Sequence, residues 1–374
     1  KLALKNGKDW KYDRKCLNSP KRNQPRVIRF FIPEGEVSFY DEIHGPLKRV
    51  AKDIDDFIIM RTDNIPTYNF ACCIDDHHMG ITHVVRGEEH IPNTYKQILI
   101  YRALGWEPPK FAHLPLILRP DRSKLSKRHG TVSVLDYREK GILPDALVNF
   151  IALLGWSPGG DREILSREEL IKLFSLDRIS KSGAVFDMNK LEWMNGEYIR
   201  RMDDEQLYPE ILPFIKKKTI KTDKDYLLRV IPLLKERVRL ITDFWNLGLY
   251  FFEQPTAYDE VGIEKHFSDP DASKKLSLLK ESFSQLVEFN LENIELRIRS
   301  LAEELNIKAA KLIHTTRLAL TGKTGGPSLF HIVEVLGKKE VILRLDKAME
   351  FVKGGKSLTN TAHCDKVLQN KPSD

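Results

Sequence analysis

Lys124-Leu125-Ser126-Lys127-Arg128 sets two lysines three positions apart with a hydroxyl between them and Gly130 just beyond. Folded over a polyphosphate, such a loop brings two ammonium groups and a hydroxyl onto the oxygens. That suits phosphoryl or adenylyl transfer, in which negative charge moves onto a leaving pyrophosphate. Taken alone, a short basic run reads more often as a solvated loop, and it is the context that reverses this. The densest ionisable set lies upstream: Asp75-Asp76-His77-His78, then His83, Arg86, Glu88, Glu89 and His90. Mixed imidazole and carboxylate ligands would suit zinc or manganese. The spacing matches neither a helical H-x-x-x-H pair nor a zinc ribbon, so no protein-held metal is expected. Polar residues at the C-terminal ends of strands fit a ligand crevice better.

The elements that must position these groups alternate. From Pro66 the pattern predicts a strand over 67–74, a strand over 82–86, a helix over 93–104 closed by Gly105, and an apolar strand over 114–118 that leads into the turn Arg119-Pro120-Asp121-Arg122. That alternation indicates an α/β sheet. Residues 1–65 read as a small irregular α+β module with strand-like pieces over 27–32 and 57–60. A helix runs from Pro144 to Leu154 and stops at Gly155, and short helices follow over 161–200 around Gly183 and Gly196. Beyond 203 the apolar spacing is helical, over 226–249, 275–286 and 291–305, and the tail after Gly354 loses periodicity.

Composition bounds the rest. A chain of 374 residues with 41% hydrophobic and 30% charged residues is a globular protein of two to four domains. Its longest apolar run, residues 146–154, is broken by Asn149 and falls short of the roughly 20 residues that span a bilayer. The first residues form no secretory signal and no initiating Met is present, so the chain reads as opening inside a domain, with an upstream segment missing. The four cysteines, Cys16, Cys72, Cys73 and Cys364, make no C-x-x-C pair and fit a reducing compartment. Adjacent Cys72 and Cys73 read as strand neighbours facing opposite ways. The net charge of +7 is uneven: residues 1–29 hold ten Lys/Arg against Asp9 and Asp13, giving +8, which leaves −1 for the remainder. A basic segment on a near-neutral body suggests local contact with a polyanion, or equally a patch separated from its acidic neighbours.

A longer, ordered set of segments now carries a resemblance. These are residues 66–71 (Pro-Thr-Tyr-Asn-Phe-Ala), 75–77 (Asp-Asp-His), 80–90, 125–130 (Leu-Ser-Lys-Arg-His-Gly), 143–147 (Leu-Pro-Asp-Ala-Leu), 186–191, 193–196, 317–322 and 336–338. Together they closely resemble the bacterial and organellar glutamyl-tRNA synthetases, over all but the tail. The resemblance implies a multidomain chain: the second half of an α/β Rossmann-like class I synthetase catalytic domain, followed by an all-α anticodon-binding region. Residues 1–65 would close an acceptor-stem-binding insertion. Residues 66–130 would be the second half of the nucleotide fold, 131–202 the stem-contact region, 203–355 the anticodon-binding helices and 356–374 a flexible tail. Residues 124–128 would be this family's form of the Lys-Met-Ser-Lys-Ser loop.

The resemblance also implies roles. Tyr68 and Arg86 resemble the glutamate-pocket tyrosine and arginine, in keeping with the bidentate grip of a guanidinium on a carboxylate. Glu89 resembles a nucleotide contact, and Ile117 the residue whose backbone meets adenine, although an apolar strand residue is by default core. Lys124, Leu125, Ser126, Lys127 and Arg128 would bind ATP, with Lys124, Ser126 and Lys127 catalytic: the lysines stabilise pyrophosphate while the glutamate carboxylate attacks the α-phosphorus in line. ATP would bring magnesium held by its own phosphates and water. The implied partners are L-glutamate, ATP and tRNA(Glu), with no membrane, a monomeric state, and a cytoplasmic or organellar-matrix location.

Two departures qualify this. Where some members have an asparagine four residues after the pocket tyrosine, this chain has Cys72, and Asp76 on the same stretch either orients pocket groups or serves structure. The chain also contains no segment resembling His-Ile-Gly-His, the second ATP signature of class I synthetases; His77-His78-Met79-Gly80 is no copy of it, because it follows the acidic pair. Activity of the chain alone is therefore in question, and the alternatives are an incomplete synthetase or a non-catalytic fragment that binds tRNA or a partner. A glutaminyl-tRNA synthetase would be expected to show β-barrel-like anticodon domains where residues 203–350 read as helix.

Overall fold

The computed structural model describes residues 12–14, 17, 26–123, 133–218 and 222–354. The chain forms two compact units, the first from residues 1–132 and 147–189, the second from residues 133–146 and 190–374.

The first unit is built on a four-stranded mixed sheet. A short pair comes first: β1 (Ile28–Arg29) lies antiparallel to β4 (Ile58–Met60). Between them β2 (Glu36–Asp41) and β3 (Gly45–Val50) form a hairpin. Helix α1 (Tyr68–His78), strand β5 (His83–Gly87), helix α2 (Ile91–Leu104) and strand β6 (Lys110–Leu114) follow. The sheet order is β3-β2-β6-β5, with β6 parallel to both β2 and β5, so strands from either side of residue 65 share one sheet. The β2–β6 ladder is short, with Asp41 opposite Phe111 and the Glu42 N–H donating to the Phe111 carbonyl at 2.8 Å. Phe39, Tyr95 and Phe111 pack edge to face beneath it, among Val37, Ile98 and Leu99.

Four expectations need correction here. Residues 67–74 are not a strand. Thr67 stays extended, its Oγ1 donating to the Ile58 carbonyl at 2.6 Å, and the chain then coils into α1. The residues look β-like, but Phe70 and Cys73, three apart, pack with Ile100 and Tyr101 of α2, and that burial at helical period decides the conformation. The strand over 114–118 is two strands in different sheets, because Pro115 cannot donate to a ladder: β6 ends at Leu114, and β7 (Ile117–Leu118) pairs in parallel with β8 (Ala184–Val185). Of the strand-like run 27–32 only Ile28–Arg29 is strand. The helical spacing over 226–249 covers two helices, Lys224–Lys235 and Asp243–Phe252, separated by a turn.

The longer helices that follow are α3 (Val134–Lys140), α4 (Pro144–Leu153), α5 (Arg167–Leu173), α6 (Met188–Arg201), α7 (Asp204–Lys217), α8 (Lys224–Lys235), α9 (Asp243–Phe252), α10 (Ala272–Gln285), α11 (Leu291–Glu304), α12 (Ala309–Thr321) and α13 (Leu329–Lys353), with a short helical turn Glu260–Gly262 and a π-helix Ile263–Phe267 between α9 and α10. The second unit is helical throughout its described residues and holds two apolar clusters. One gathers Ile199, Leu207, Ile211, Ile231, Leu234 and Phe244; the other gathers Leu276, Leu279, Phe283, Ile298, Leu312 and Leu345. Gly337, at φ +78°, kinks α13, and the Lys338 ammonium just beyond donates to the Ser284 and Leu286 carbonyls that close α10.

Buried polar side chains hold the irregular backbone of this unit. Asn195 of α6 is fully buried; its Oδ1 accepts from Leu143 N–H at 2.7 Å and its Nδ2 donates to the carbonyls of Gly141 and Arg239 at 3.1 and 2.6 Å. The same turn separates α8 from α9: Ile241 N–H bonds to the Gly141 carbonyl, while Asp243 accepts the N–H groups of Arg239 and Leu240. Gly141 is required there, since a Cβ would lie 2.8 Å from the backbone nitrogens of Ile241 and Thr242 at a φ of +88°. Arg344 on α13 is likewise buried and donates to the carbonyls of Tyr250 and Leu320, both at 2.7 Å. Replacing Asn195 by Leu strands the Leu143 N–H and the Arg239 carbonyl and leaves the Gly141 carbonyl with only the Ile241 N–H, so Asn195→Leu should cost about 3 kcal/mol, read as a lower urea midpoint of the transition that melts the helical unit; an unchanged midpoint would show that the Asn195 bridge is dispensable.

Candidate functional site

The polar groups of the first unit converge where β5 meets the N-terminal half of α2. Arg86 is on β5, and its Nη2 donates to Thr94 Oγ1 and Gln97 Oε1, each at 2.7 Å, while its Nε donates to His113 Nε2 at 3.4 Å. Thr94 and Gln97 are buried although polar, three apart on α2, and so point the same way. Gln97 in turn donates to Asn69 Oδ1 at 3.2 Å, Asn69 reaches Asn93, and Asn93 meets the His90 ring.

Helix α1 presents a second wall. Tyr68, Cys72 and Asp76 recur every four residues and share one face. The Tyr68 phenol is pushed up by burial and by the adjacent Cys72, with Arg86 pulling the other way. Burial also raises the Cys72 thiol, opposed by its hydrogen bond with Tyr68 and by Arg86, and it raises the Asp76 carboxyl, again with Arg86 opposing. One guanidinium therefore faces a phenol, a thiol and a carboxyl, with Tyr68 itself half exposed at 52%. A cation fixed at its back and open to polar groups in front is a receptor for a carboxylate.

Of the residues singled out from sequence, Tyr68 and Arg86 are brought together. Glu89 lies in the single 3-10 turn Glu88–His90 and is exposed; its carboxylate folds back over Gly87, where an added Cβ would stand 2.2 Å from Oε2. Ile117 is on β7 opposite Ala184, 38% exposed and so not a core residue. Lys124, Leu125, Ser126, Lys127 and Arg128 lie outside the described residues. The turn leading to them is built by Asp121, whose Oδ1 accepts from the Ser123 N–H at 2.9 Å and hydroxyl at 2.6 Å. The acidic and histidine run disperses: His77 stacks on Trp106 at 3.7 Å, and His83 bonds to Thr82. Among the described residues no group of three or more His, Cys, Asp or Glu is placed to hold a metal.

Sequence reasoning missed the side chains that hold Arg86: Thr94, Gln97, His113 and, behind them, Asp41. Their signals were present but quiet. His113 is a lone polar residue in the apolar strand Phe111-Ala112-His113-Leu114, and Thr94 and Gln97 are polar residues on the inward face of α2. It also misplaced the cysteines. On a helix Cys73 turns into the core, 1% exposed, its thiol raised to about 12 mainly by burial, while Cys72 stays at the site. At pH 8 the Cys73 thiolate fraction is then about 10⁻⁴, so an alkylating reagent should leave Cys73 unmodified and label Cys72 slowly, and both should react once the chain is unfolded. Tandem mass spectrometry of the labelled peptide separates the two, and rapid native labelling of Cys73 would refute its placement.

Residues 3–193 match the family described as tRNA synthetases class I (E and Q), catalytic domain, and residues 206–349 match an anticodon binding domain. Glutamate–tRNA ligases from Moorella thermoacetica and Syntrophomonas wolfei are 44% and 45% identical, each over 94% of this chain and over 75% and 73% of their own lengths. A crystal structure of a glutamate tRNA ligase from Elizabethkingia meningosepticum, in complex with its amino acid, superposes with a TM-score of 0.86 at 34% identity, covering 94% of this chain and 76% of that one. With a catalytic-domain match over half of the chain and relatives this similar over nearly all of it, the chain belongs to the glutamate–tRNA ligase family of class I aminoacyl-tRNA synthetases.

Proposed function

We propose that this chain takes part in the ATP-dependent activation of L-glutamate to glutamyl-adenylate and its transfer to the 3′ end of tRNA(Glu). The observation that carries the reading is Arg86, held from behind by Thr94, Gln97 and His113 and faced by Tyr68 across α1. The guanidinium pairs with the glutamate side-chain carboxylate and the phenol adds a directed hydrogen bond. Glu89 and the backbone of Ile117 contact the nucleotide. Lys124, Ser126 and Lys127, with Leu125 and Arg128 beside them, grip the triphosphate, and magnesium arrives with ATP as part of the substrate.

The division of labour along the chain follows the same reading. Residues 1–65 close the acceptor-stem-binding insertion, 66–130 complete the nucleotide fold, 131–202 contact the stem and 203–355 read the anticodon, with 356–374 as a tail. The protein works as a monomer in the cytoplasm or an organellar matrix. No helix among the described residues is long and apolar enough to cross a membrane.

Pyrophosphate exchange with glutamate, ATP and tRNA tests this, with the chain alone and with a relative's segment that bears the His-Ile-Gly-His-type signature. Lys124→Ala combined with Lys127→Ala should lower exchange by about 10³-fold while leaving tRNA affinity within about twofold. Retained exchange would remove the lysines from the reaction. Salt-sensitive tRNA binding with no exchange under either condition would favour the non-catalytic tRNA-binding fragment. In a binding titration log Kd should rise with log salt at a slope of about 0.7 to 0.9 per phosphate neutralised, and a salt-insensitive complex would contradict phosphate-led tRNA contact.

A further inference from the structure

We infer that the buried Asp41–His113 pair is a positioning device for Arg86: it keeps the imidazole proton on Nδ1, so that Nε2 can only accept, and thereby fixes the rotation of the guanidinium. Both side chains are fully buried. Asp41 Oδ1 is occupied by the N–H groups of Ile43, His44 and His113 at 3.0, 2.9 and 3.4 Å. Only Oδ2 remains, and it lies 2.5 Å from His113 Nδ1. A carboxylate accepts and does not donate, so the proton between them belongs to the ring nitrogen. Burial alone would raise the Asp41 carboxyl, but the His44 N–H, the His113 ring and the remaining backbone donors outweigh it and hold the group below its usual range. Arg86 Nε–H can only donate, so the Nε2 it meets carries no proton and the ring is neutral, in keeping with burial holding His113 below its usual range against the pull of Asp41.

With that proton on Nδ1, the single lone pair of Nε2 faces Arg86 Nε–H at 3.4 Å and the Thr94 hydroxyl at 3.0 Å, whose one proton also has the His90 carbonyl in reach at 3.2 Å. The Arg86 Nη2 contacts to Thr94 and Gln97 complete a three-residue cradle. Asp41→Asn changes one atom of this relay. The amide oxygen stays with the three backbone N–H groups, its NH₂ turns toward His113 Nδ1, and the ring must carry its proton on Nε2, where it meets the Arg86 Nε–H donor to donor. The fold keeps its volume and the Nη2 contacts to Thr94 and Gln97, but the guanidinium loses its His113 contact.

The role of this seat in substrate binding rests on the reading of Arg86 as the partner of glutamate, and one experiment separates the two. Nitrogen NMR of imidazole and guanidinium groups is recorded on the full chain, as wild type and as Asp41→Asn, without and with L-glutamate, with His113→Gln identifying the ring signals. Wild type should show His113 protonated at Nδ1 and bare at Nε2. Asp41→Asn should move the proton to Nε2 and speed solvent exchange of the Arg86 Nε–H by about tenfold or more, while the backbone amides of β5 and β6 stay protected. A proton on Nε2 in wild type overturns the inference, as does unchanged Arg86 exchange in a variant with protected strands. Should Asp41→Asn unfold, the wild-type proton position alone decides. Glutamate should shift the Arg86 Nε–H signal; no shift, with the wild-type proton on Nδ1, would overturn the pocket reading and leave the positioning role standing.

Discussion

A carboxylate with no access to water organises the first unit. Asp41 ends β2 where the ladder to β6 is reduced to one residue pair, and there its side chain replaces the missing backbone bonds. An ionised group at zero exposure is tolerated only if every lone pair is used, and here three amides and an imidazole use them. The hairpin of residues 36–50 is thus fixed to the parallel strands by charge-assisted hydrogen bonds as well as by the aromatic packing of Phe39 on Tyr95 and Phe111. The strand that receives this clamp also supplies His113, so the sheet and the seat of Arg86 share their geometry.

How far the site could be read from sequence follows from the range of each interaction. Tyr68 and Arg86 stood out because the segments that carry them resemble the glutamyl-tRNA synthetases, and a guanidinium that grips a carboxylate is chemically legible. Their conformations were harder to read. Thr-Tyr-Asn-Phe-Ala-Cys-Cys-Ile is made of residues that strands favour, and only the meeting of Phe70 and Cys73 with Ile100 and Tyr101, nearly thirty residues away, makes it a helix. Asp41 and His113 are separated by 72 positions and couple through a sheet register that no local pattern encodes. Pro115 did announce its break, but the apolar residues on both sides of it masked the signal.

The helical unit was more legible in kind than in detail. Helical apolar spacing is local, so the presence of helices after residue 203 could be read directly. The turn between α8 and α9 could not, because the partners of its backbone come from Gly141 and Asn195. Buried Asn195 and Arg344 serve the same purpose: each supplies donors or an acceptor to backbone groups that a helix end or turn leaves open, where an apolar residue of equal volume would fill space and satisfy nothing.

The kink at Gly337 has a consequence for how the helical unit comes apart. Before the bend, Ile332 and Val335 belong to one apolar cluster while Leu329 and Val333 belong to the other, and after it Val341, Leu345 and Ala348 continue the second. A single helix is therefore a shared wall of two cores. Melting either core strips a face from the other, so the two behave as one cooperative block, and slow amide exchange throughout the block should report a common opening free energy.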